Sequence, residues 1–180
     1  MLWLWILIGV VAVLVVVVVM MALIGRGLPQ SHVAVRRARF RQPPEAVWAA
    51  ITEVEAFPSW RPDVKRVERL PDRDGRPVWC EVGRHGRLTL EQVEAQPPRR
   101  LVGRIADPAL PFGGTWTYDI AAVEGGSTLT ITENGEVYNP LFRFMAHYLF
   151  GYHGTLETYL KALGKKFNEA VVPEAAGAEK

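Results

Sequence analysis

The chain has 180 residues, of which 49% are hydrophobic, and a formal net charge of +2. So slight a charge, carried by arginines that are dispersed along the chain, excludes a nucleic-acid binder that relies on a basic patch. The single cysteine, Cys80, cannot form an internal disulfide, which agrees with a reducing compartment.

The first predicted element is an uncharged apolar run at residues 2–25. As a helix that rises about 1.5 Å per residue, it would be about 36 Å long, enough to cross a hydrocarbon core of about 30 Å. A secretory signal peptide begins with basic residues, whereas the first basic residue here is Arg26. Residues 1–25 are therefore predicted to form a retained transmembrane helix, which makes the lipid bilayer a partner.

The flanks of this run predict the orientation of the protein. Several arginines follow the run and none precedes it: Arg26, Arg36, Arg37, Arg39 and Arg41. The positive-inside rule then gives a single-pass membrane protein with its domain in the cytoplasm. Residues 26–31 form a short linker that reaches about 20 Å when extended, so the domain at 32–170 stays close to the bilayer. The small and polar tail, residues 171–180, is predicted to be disordered.

The domain opens with an alternating strand, "HVAVRRARF", then a helix at "PPEAVWAAI" and a short helix or turn at "EVEAFPSW". Six more strand-like runs follow, at residues 64–70, 78–84, 87–95, 101–106, 115–123 and 127–132. They are separated by the breakers "DRDG", "RHG", "QPP", "DPALPFGG" and "EGG", and His85 is expected to be a solvated turn residue. Consecutive strands with short connections predict an antiparallel sheet.

One long helix is predicted to close the chain. Asn139 is a favourable N-cap, Pro140 suits the first helical position, and lysines near the far end complement the helix dipole. Its apolar positions recur at helical spacing: Leu141, Met145, Tyr148, Leu149, Tyr152, Leu156, Leu160, Leu163 and Phe167. One broad face of this helix is therefore expected to pack on the sheet.

This order of elements resembles the SRPBCC superfamily of helix-grip proteins, which includes START-like and polyketide cyclase/dehydrase-like members. The resemblance rests on "PPEAVWAAI", "FPSWRPDVKRVE", the glycine-punctuated hairpins, "GSTLTITENGEVYNPLFRF" and the final "YLKALGKKF". It implies an α+β fold in which a curved antiparallel sheet of about seven strands surrounds a long carboxy-terminal helix, with two short helices after the first strand. It also implies a cavity between helix and sheet that holds an apolar small molecule.

Strand alternation predicts which side chains face that cavity. Those expected to line it are Trp79, Leu88, Leu90, Trp116, Tyr118, Leu129, Ile131, Glu133, Met145, Tyr148, Leu149 and Tyr152. Glu133 has two open interpretations: an ion pair with an arginine at the cavity rim, or a general base for bound ligand. Tyr118 is a weaker candidate acid. Because "NG" at 134–135 predicts a bulge, the side taken by Glu136 stays open.

Three functional classes remain at this stage. The first is a membrane-tethered carrier or sensor of a lipid or other hydrophobic ligand, and the second is a polyketide cyclase/dehydrase-like enzyme. The third is an interaction module whose cavity is filled by the tryptophans Trp48, Trp60, Trp79 and Trp116. The sequence has no nucleotide-binding glycine loop, nucleophile elbow or metal-ligand pattern, so neither a cofactor nor a metal is expected. Leu110, Phe112, Phe142 and Phe144 are predicted to lie at the cavity mouth, where they either form a gate that touches the bilayer or pack on one another and close the domain.

Overall fold

The computed structural model describes residues 1–84 and 86–177. His85, which is predicted to be a turn residue, and the last three residues of the predicted tail lie outside the described residues.

The chain begins with helix α1, Leu2–Gly27, which is long and apolar enough to cross a membrane. Its side chains are exposed along most of its length, and only Met21, Ala22 and Gly25 are partly or fully covered. Strand β1 begins at Ser31, so the connection between α1 and the domain is shorter than the predicted linker at 26–31.

Within the described residues, eight strands form one antiparallel sheet, in the order β2-β3-β4-β5-β6-β7-β1-β8. Their bounds are β1 Ser31–Phe40, β2 Val64–Arg73, β3 Arg76–Gly83, β4 Gly86–Gln96, β5 Arg100–Ile105, β6 Phe112–Val123, β7 Gly126–Val137 and β8 Glu174–Ala175. Helix α2, Pro44–Thr52, and a 3₁₀ helix, Val54–Ser59, follow the first strand as predicted. The α+β helix-grip prediction is confirmed, with an eighth strand added by the tail.

That eighth strand corrects the predicted disorder of the tail. Residues 174–175 pair with Arg36 and Arg37 of β1. The preceding Val171 packs against the main core and against Gly164, which holds this part of the tail in place.

Strand β7 also runs further than its predicted end at residue 132. It pairs with β1 and β6 in unbroken register through Gly135, so no bulge interrupts "NG". The alternation therefore continues, and Glu133 shares the inner face with Leu129 and Ile131, whereas Glu136 points to the opposite face.

The predicted long helix is divided into two. Helix α3, Pro140–Met145, continues into a π-helical turn, Ala146–Phe150, and the helix then breaks at Gly151. Gly151 has φ 69° and ψ 177°, a conformation that glycine adopts far more readily than other residues. Helix α4, Gly154–Lys166, then packs against the inner face of the sheet through Leu156, Leu160 and Leu163.

Candidate functional site

The space between the sheet and α4 contains a layer of aromatic side chains. Tyr159 of α4 lies at its centre, with ring centroids 5.4 Å from Trp60, 5.9 Å from Trp116 and 5.6 Å from Tyr118. Apolar side chains from both short helices, strands β1 to β7 and α4 surround this layer. An apolar ligand between helix and sheet would meet these rings first.

A buried polar cluster adjoins the aromatic layer. Arg61, which follows the 3₁₀ helix, has one guanidinium nitrogen 2.9 Å from Glu81 of β3 and another 2.7 Å from Asp63. The indole N–H of Trp79 donates to the same Glu81 carboxylate at 3.2 Å. The Arg61 guanidinium also lies over the ring of Tyr159, at 5.3 Å from its centroid. We call Arg61, Asp63, Trp79, Glu81, Tyr118 and Tyr159 the Arg61 cluster.

The ionisation of this cluster follows from burial and from the Arg61–Glu81 pair. Burial, the largest single effect, lowers the pKa of Arg61, but Glu81, Asp63 and Tyr159 together outweigh it, and the pKa lies above its ordinary value. Burial raises the pKa of both phenols, Tyr118 and Tyr159. The guanidinium therefore stays charged and both phenols stay protonated at physiological pH, so all three groups are hydrogen-bond donors.

Two donors beside the cluster have no hydrogen-bond partner among the described residues. They are Nε of Arg61 and Nε1 of Trp60, and both atoms are buried. A buried donor without an acceptor costs about 1–3 kcal/mol, and native proteins rarely leave one. Both residues contact Phe57 and Tyr159. A carbonyl, carboxylate or phosphate oxygen placed there would satisfy donors that the protein itself leaves unpaired.

Glu133 belongs to a second, separate cluster. Its Oε1 lies 3.6 Å from Nε2 of His32, and the His32 ring stacks on Tyr152 with centroids 3.8 Å apart. The partner of Glu133 is therefore a histidine of the neighbouring strand rather than the predicted arginine. His32 is on the same face because its even position in β1 is shared with the buried Ala34 and Ala38.

The two predicted catalytic candidates thus lie in different surroundings. Tyr118 contacts Trp116 and Tyr159, in the layer beside Arg61, whereas Glu133 contacts His32. The cross-strand neighbour of Glu133 on β6 is Trp116, and Tyr118, two residues further along β6, is the cross-strand neighbour of Ile131. Tyr118 therefore shares its surroundings with the Arg61 cluster, and Glu133 shares its surroundings with His32 and Tyr152.

The other predicted cavity residues divide between the interior and the surface. Trp79, Leu129 and Ile131 are buried, and Leu88 and Leu90 lie opposite Glu81 and Trp79 on β4. Met145 and Tyr152 are half-buried. Tyr148 and Leu149 instead lie on the surface, 56% and 62% exposed. They do not line the interior because the chain passes through the π-helical turn and the break at Gly151 before α4 reaches the sheet.

Three of the four predicted mouth residues have aromatic contacts at one end of the domain. The ring of Phe112 stacks on Phe142 at a centroid distance of 6.2 Å, and Phe144 lies 4.9 Å from Tyr148. The loop that carries Leu110 is joined to this region, because Pro111 accepts a hydrogen bond from the amide of Tyr138 at 2.9 Å. The predicted loop and the start of α3 are thus neighbours.

Two surface pockets border these regions in the part of the chain that the structure describes. One has a volume of about 350 Å³ and lies beside α4, with Trp60, Pro62 and two lysines, Lys161 and Lys165, in its wall. The other, of about 280 Å³, is lined by residues that include Arg73, Arg104, Phe112 and Tyr138. Trp60 connects the first pocket with the aromatic layer, since its ring also contacts Tyr159.

Sequence reasoning missed the Arg61 cluster because its members come from four separate elements. One signal was present: Trp79 and Glu81 share a strand face, so a carboxylate is placed among inward-facing apolar residues. Such a carboxylate requires a buried cation, and the arginine in "SWRPD" supplies it.

Comparisons with known proteins agree on the fold. Residues 32–175 match the family model described as polyketide cyclase / dehydrase and lipid transport. A START superfamily protein from Mycobacterium smegmatis is similar with a TM-score of 0.61 and 17% identity, over 76% of this chain and 97% of that one. Norcoclaurine synthase from Thalictrum flavum is similar with a TM-score of 0.60 and 9% identity, over 77% of this chain and 87% of that one.

A further similar structure is the di-domain ARO/CYC StfQ from the steffimycin biosynthetic pathway. Its TM-score is 0.59 at 12% identity, over 74% of this chain and 49% of that one. No curated protein matches the sequence. The family match and the START-superfamily structure confirm the SRPBCC/START-like prediction. Structural similarity at such low sequence identity shows the fold and does not by itself show the function.

Proposed function

The chain belongs to the polyketide cyclase/dehydrase and lipid transport family, and we propose that its domain binds a lipid or other hydrophobic small molecule between the sheet and α4. Family membership and the similar structures support hydrophobic-ligand binding or a cyclase/dehydrase-like activity. In our proposal α1 anchors the domain in a membrane, because this helix is long and apolar enough to span one.

The observation that carries the proposal is the pair of unpaired donors beside an aromatic layer, Nε of Arg61 and Nε1 of Trp60. An apolar body would pack on the rings, and an oxygen at its polar end would accept from these donors. The combination of an apolar wall with a few convergent polar groups is typical of small-molecule sites. The rings fill much of this space, so binding requires Trp60 to move away from Tyr159 and open towards the adjacent pocket.

The test is to identify what the full-length protein carries after extraction in detergent. Native mass spectrometry is expected to show a bound small molecule in the natural protein. The informative variant combines Arg61→Met with Glu81→Gln, since removing Arg61 alone leaves a buried unpaired carboxylate that costs about 3–5 kcal/mol. Arg66→Met, which changes an exposed arginine of β2, is the matched control.

The expected result is that Arg66→Met carries as much bound molecule as the natural protein, whereas the double variant carries at least tenfold less. An equal amount of bound molecule in the double variant would show that Arg61 is not part of the binding site. A natural protein that carries nothing, and whose tryptophan fluorescence does not respond to added lipid, would instead favour the interaction module with a filled interior.

An enzymatic function is the second candidate, since the Arg61 cluster holds two protonated phenols next to a cation. Such a set can polarise a carbonyl and donate a proton to it. Glu133 would be the base, but its ion-pair partner is His32 and not a member of the cluster. Binding without turnover is therefore the function that the geometry supports better.

The mouth of the site belongs to the same proposal. Phe112, Phe142 and the neighbouring Leu110 and Phe144 would touch the bilayer while ligand passes, as the stacking of Phe112 on Phe142 supports. In the full chain, Leu110→Asp with Phe112→Asp is expected to slow lipid exchange between vesicles, and the unfolding midpoint is measured beside it to show that the variant is folded. Unchanged exchange in the folded double variant would remove this loop from the gate.

A further inference from the structure

The interfacial segment, which we define as residues 140–150, is the part of the domain that packs against the end of α1. The backbone of Pro140 and the side chain of Phe144 lie against Gly25, and a side chain at Gly25 would overlap the carbonyl oxygen of Pro140. The covered face of α1 comprises Met21, Ala22 and Gly25, just over one turn of helix. The domain is therefore docked on α1 itself.

A buried arginine holds this contact. The Arg143 guanidinium donates to the carbonyl oxygens of Leu28 at 3.0 Å and Gly25 at 3.3 Å, and to those of Val137 and Tyr138 at 2.9 and 3.2 Å. The last carbonyls of a helix lack intrahelical partners and carry the negative end of its dipole, so a cation is favoured there. Arg143 is only 8% exposed.

This docking determines the depth of the segment in a bilayer. Met21 belongs to the apolar part of α1, and the first charged residue after it is Arg26, where the hydrocarbon must end. A helix that packs beside Met21 and Gly25 therefore lies at the membrane boundary. The π-helical turn adds five residues, which extend the segment by no more than about 8 Å.

The exposed side chains of the segment are suited to that depth. Tyr148, Leu149 and Phe150 are 56%, 62% and 62% exposed, and Phe142 is 41% exposed. The segment contains no carboxylate, and its one arginine is the buried Arg143. Contiguous exposed apolar residues indicate a contact surface, and tyrosines favour the membrane interface.

We propose that residues 140–150 lie in the interface of the same bilayer that α1 spans, with Tyr148, Leu149 and Phe150 inserted among the lipids. The domain then has two attachments to the membrane, and the break at Gly151 places α4 outside it. This inference rests on the proposed anchoring by α1, and it extends the contact beyond the predicted mouth residues to the π-helical turn.

The experiment uses the full-length chain with Cys80→Ala, so that single cysteines can carry an environment-sensitive nitrobenzoxadiazole label. Three variants are compared: Leu149→Cys in the segment, Val13→Cys in α1, and Lys65→Cys in β2. Val13 and Lys65 are both exposed, and β2 lies at the sheet edge opposite β1 and β7. Each protein is reconstituted into phosphatidylcholine vesicles with and without lipids that carry a nitroxide on the acyl chain.

The nitroxide lipids are expected to quench the labels at 13 and 149 by at least half and to leave the label at 65 unchanged. Quenching at 13 without quenching at 149 would overturn the interfacial placement while leaving the anchor intact. No quenching at either position would overturn the anchor and this inference together. Blue-shifted emission at 149 that nitroxide lipids do not quench would show that a second copy of the chain, and not lipid, covers the segment.

Discussion

Replacing Arg143 with methionine is the most informative change, because it removes four hydrogen bonds and keeps a side chain of similar length. The bonds to Val137 and Leu28, at 2.9 and 3.0 Å, have good lengths, and those to Tyr138 and Gly25 are longer. Each hydrogen bond to a charged group contributes about 1.5–3 kcal/mol. Two good bonds would contribute about 3–6 kcal/mol. The desolvation cost of the buried charge, which the variant no longer has, must be subtracted from this contribution.

We therefore expect Arg143→Met to lower the free energy of unfolding by about 3 kcal/mol, which for a chain of this size lowers Tm by about 6–12 °C. The measurement is thermal and urea unfolding of the full chain in detergent. Because Gly25 and Leu28 lose their donor, the end of α1 should also separate from the domain, and trypsin should cut faster after Arg26.

Arg143→Lys is the matched control, since it keeps the charge but cannot reach four carbonyls at once. It is expected to fall between the natural protein and Arg143→Met in both measurements. An unchanged Tm together with an unchanged cleavage rate in Arg143→Met would refute the reasoning, because the four carbonyls would then not depend on this side chain.

Four further outcomes are expected. Gly25→Ala should speed tryptic cleavage after Arg26 severalfold, because the added Cβ overlaps the carbonyl of Pro140. Gly27→Ala is the control and should leave the rate unchanged, because a Cβ there has no atom within 4 Å. Equal cleavage rates in the two variants would contradict the docking. Glu133→Gln should lower the free energy of unfolding in urea by less than about 1 kcal/mol, since its partner His32 is 3.6 Å away and is charged only when protonated. A loss of about 3 kcal/mol would contradict this expectation. Full stability of Glu133→Gln with lost turnover would favour the enzyme.

Stability should also fall in acid. The hydrogen bond from Arg104 lowers the pKa of Glu91, against the opposing effect of burial. The stabilisation is therefore present above the unfolded value near 4.3 and is lost as pH falls through the lowered folded pKa. Melting curves from about pH 5 to about pH 3 should show the loss, and Glu91→Gln should flatten it. Finally, protease added to intact cells should leave the domain uncut, whereas cleavage would reverse the predicted cytoplasmic orientation.

Alternation and turn chemistry in the sequence predicted the sheet well. Strands β1 to β7 were each predicted at the right place because polar and apolar residues alternate along them and glycine or proline separates them. The ends were less accurate. Strand β7 continues to Val137 because β1 and β6 pair with it on both sides, which outweighs the local turn preference of "NG".

The long helix was mispredicted for a related reason. Residues 140–167 have apolar residues at helical spacing throughout, so periodicity alone cannot separate those that face the sheet from those that face outward. Tyr148 and Leu149 belong to the outward set, and Gly151 marks the break. Their exposure agrees with the interfacial placement that we propose for residues 140–150, and it does not agree with the predicted cavity wall.

The sequence by itself determined what depends on neighbours along the chain: an apolar span, an antiparallel sheet, two short helices and the inward face of Glu133. Only the tertiary structure decided which distant residues meet. Arg61 and Glu81, His32 and Glu133, and Arg143 with the end of α1 are separated by 20 to 118 positions and become partners only when strands and helices pack. Their pairing is set by the cost of burying an unpaired charge or carbonyl, and that cost depends on which distant elements pack together.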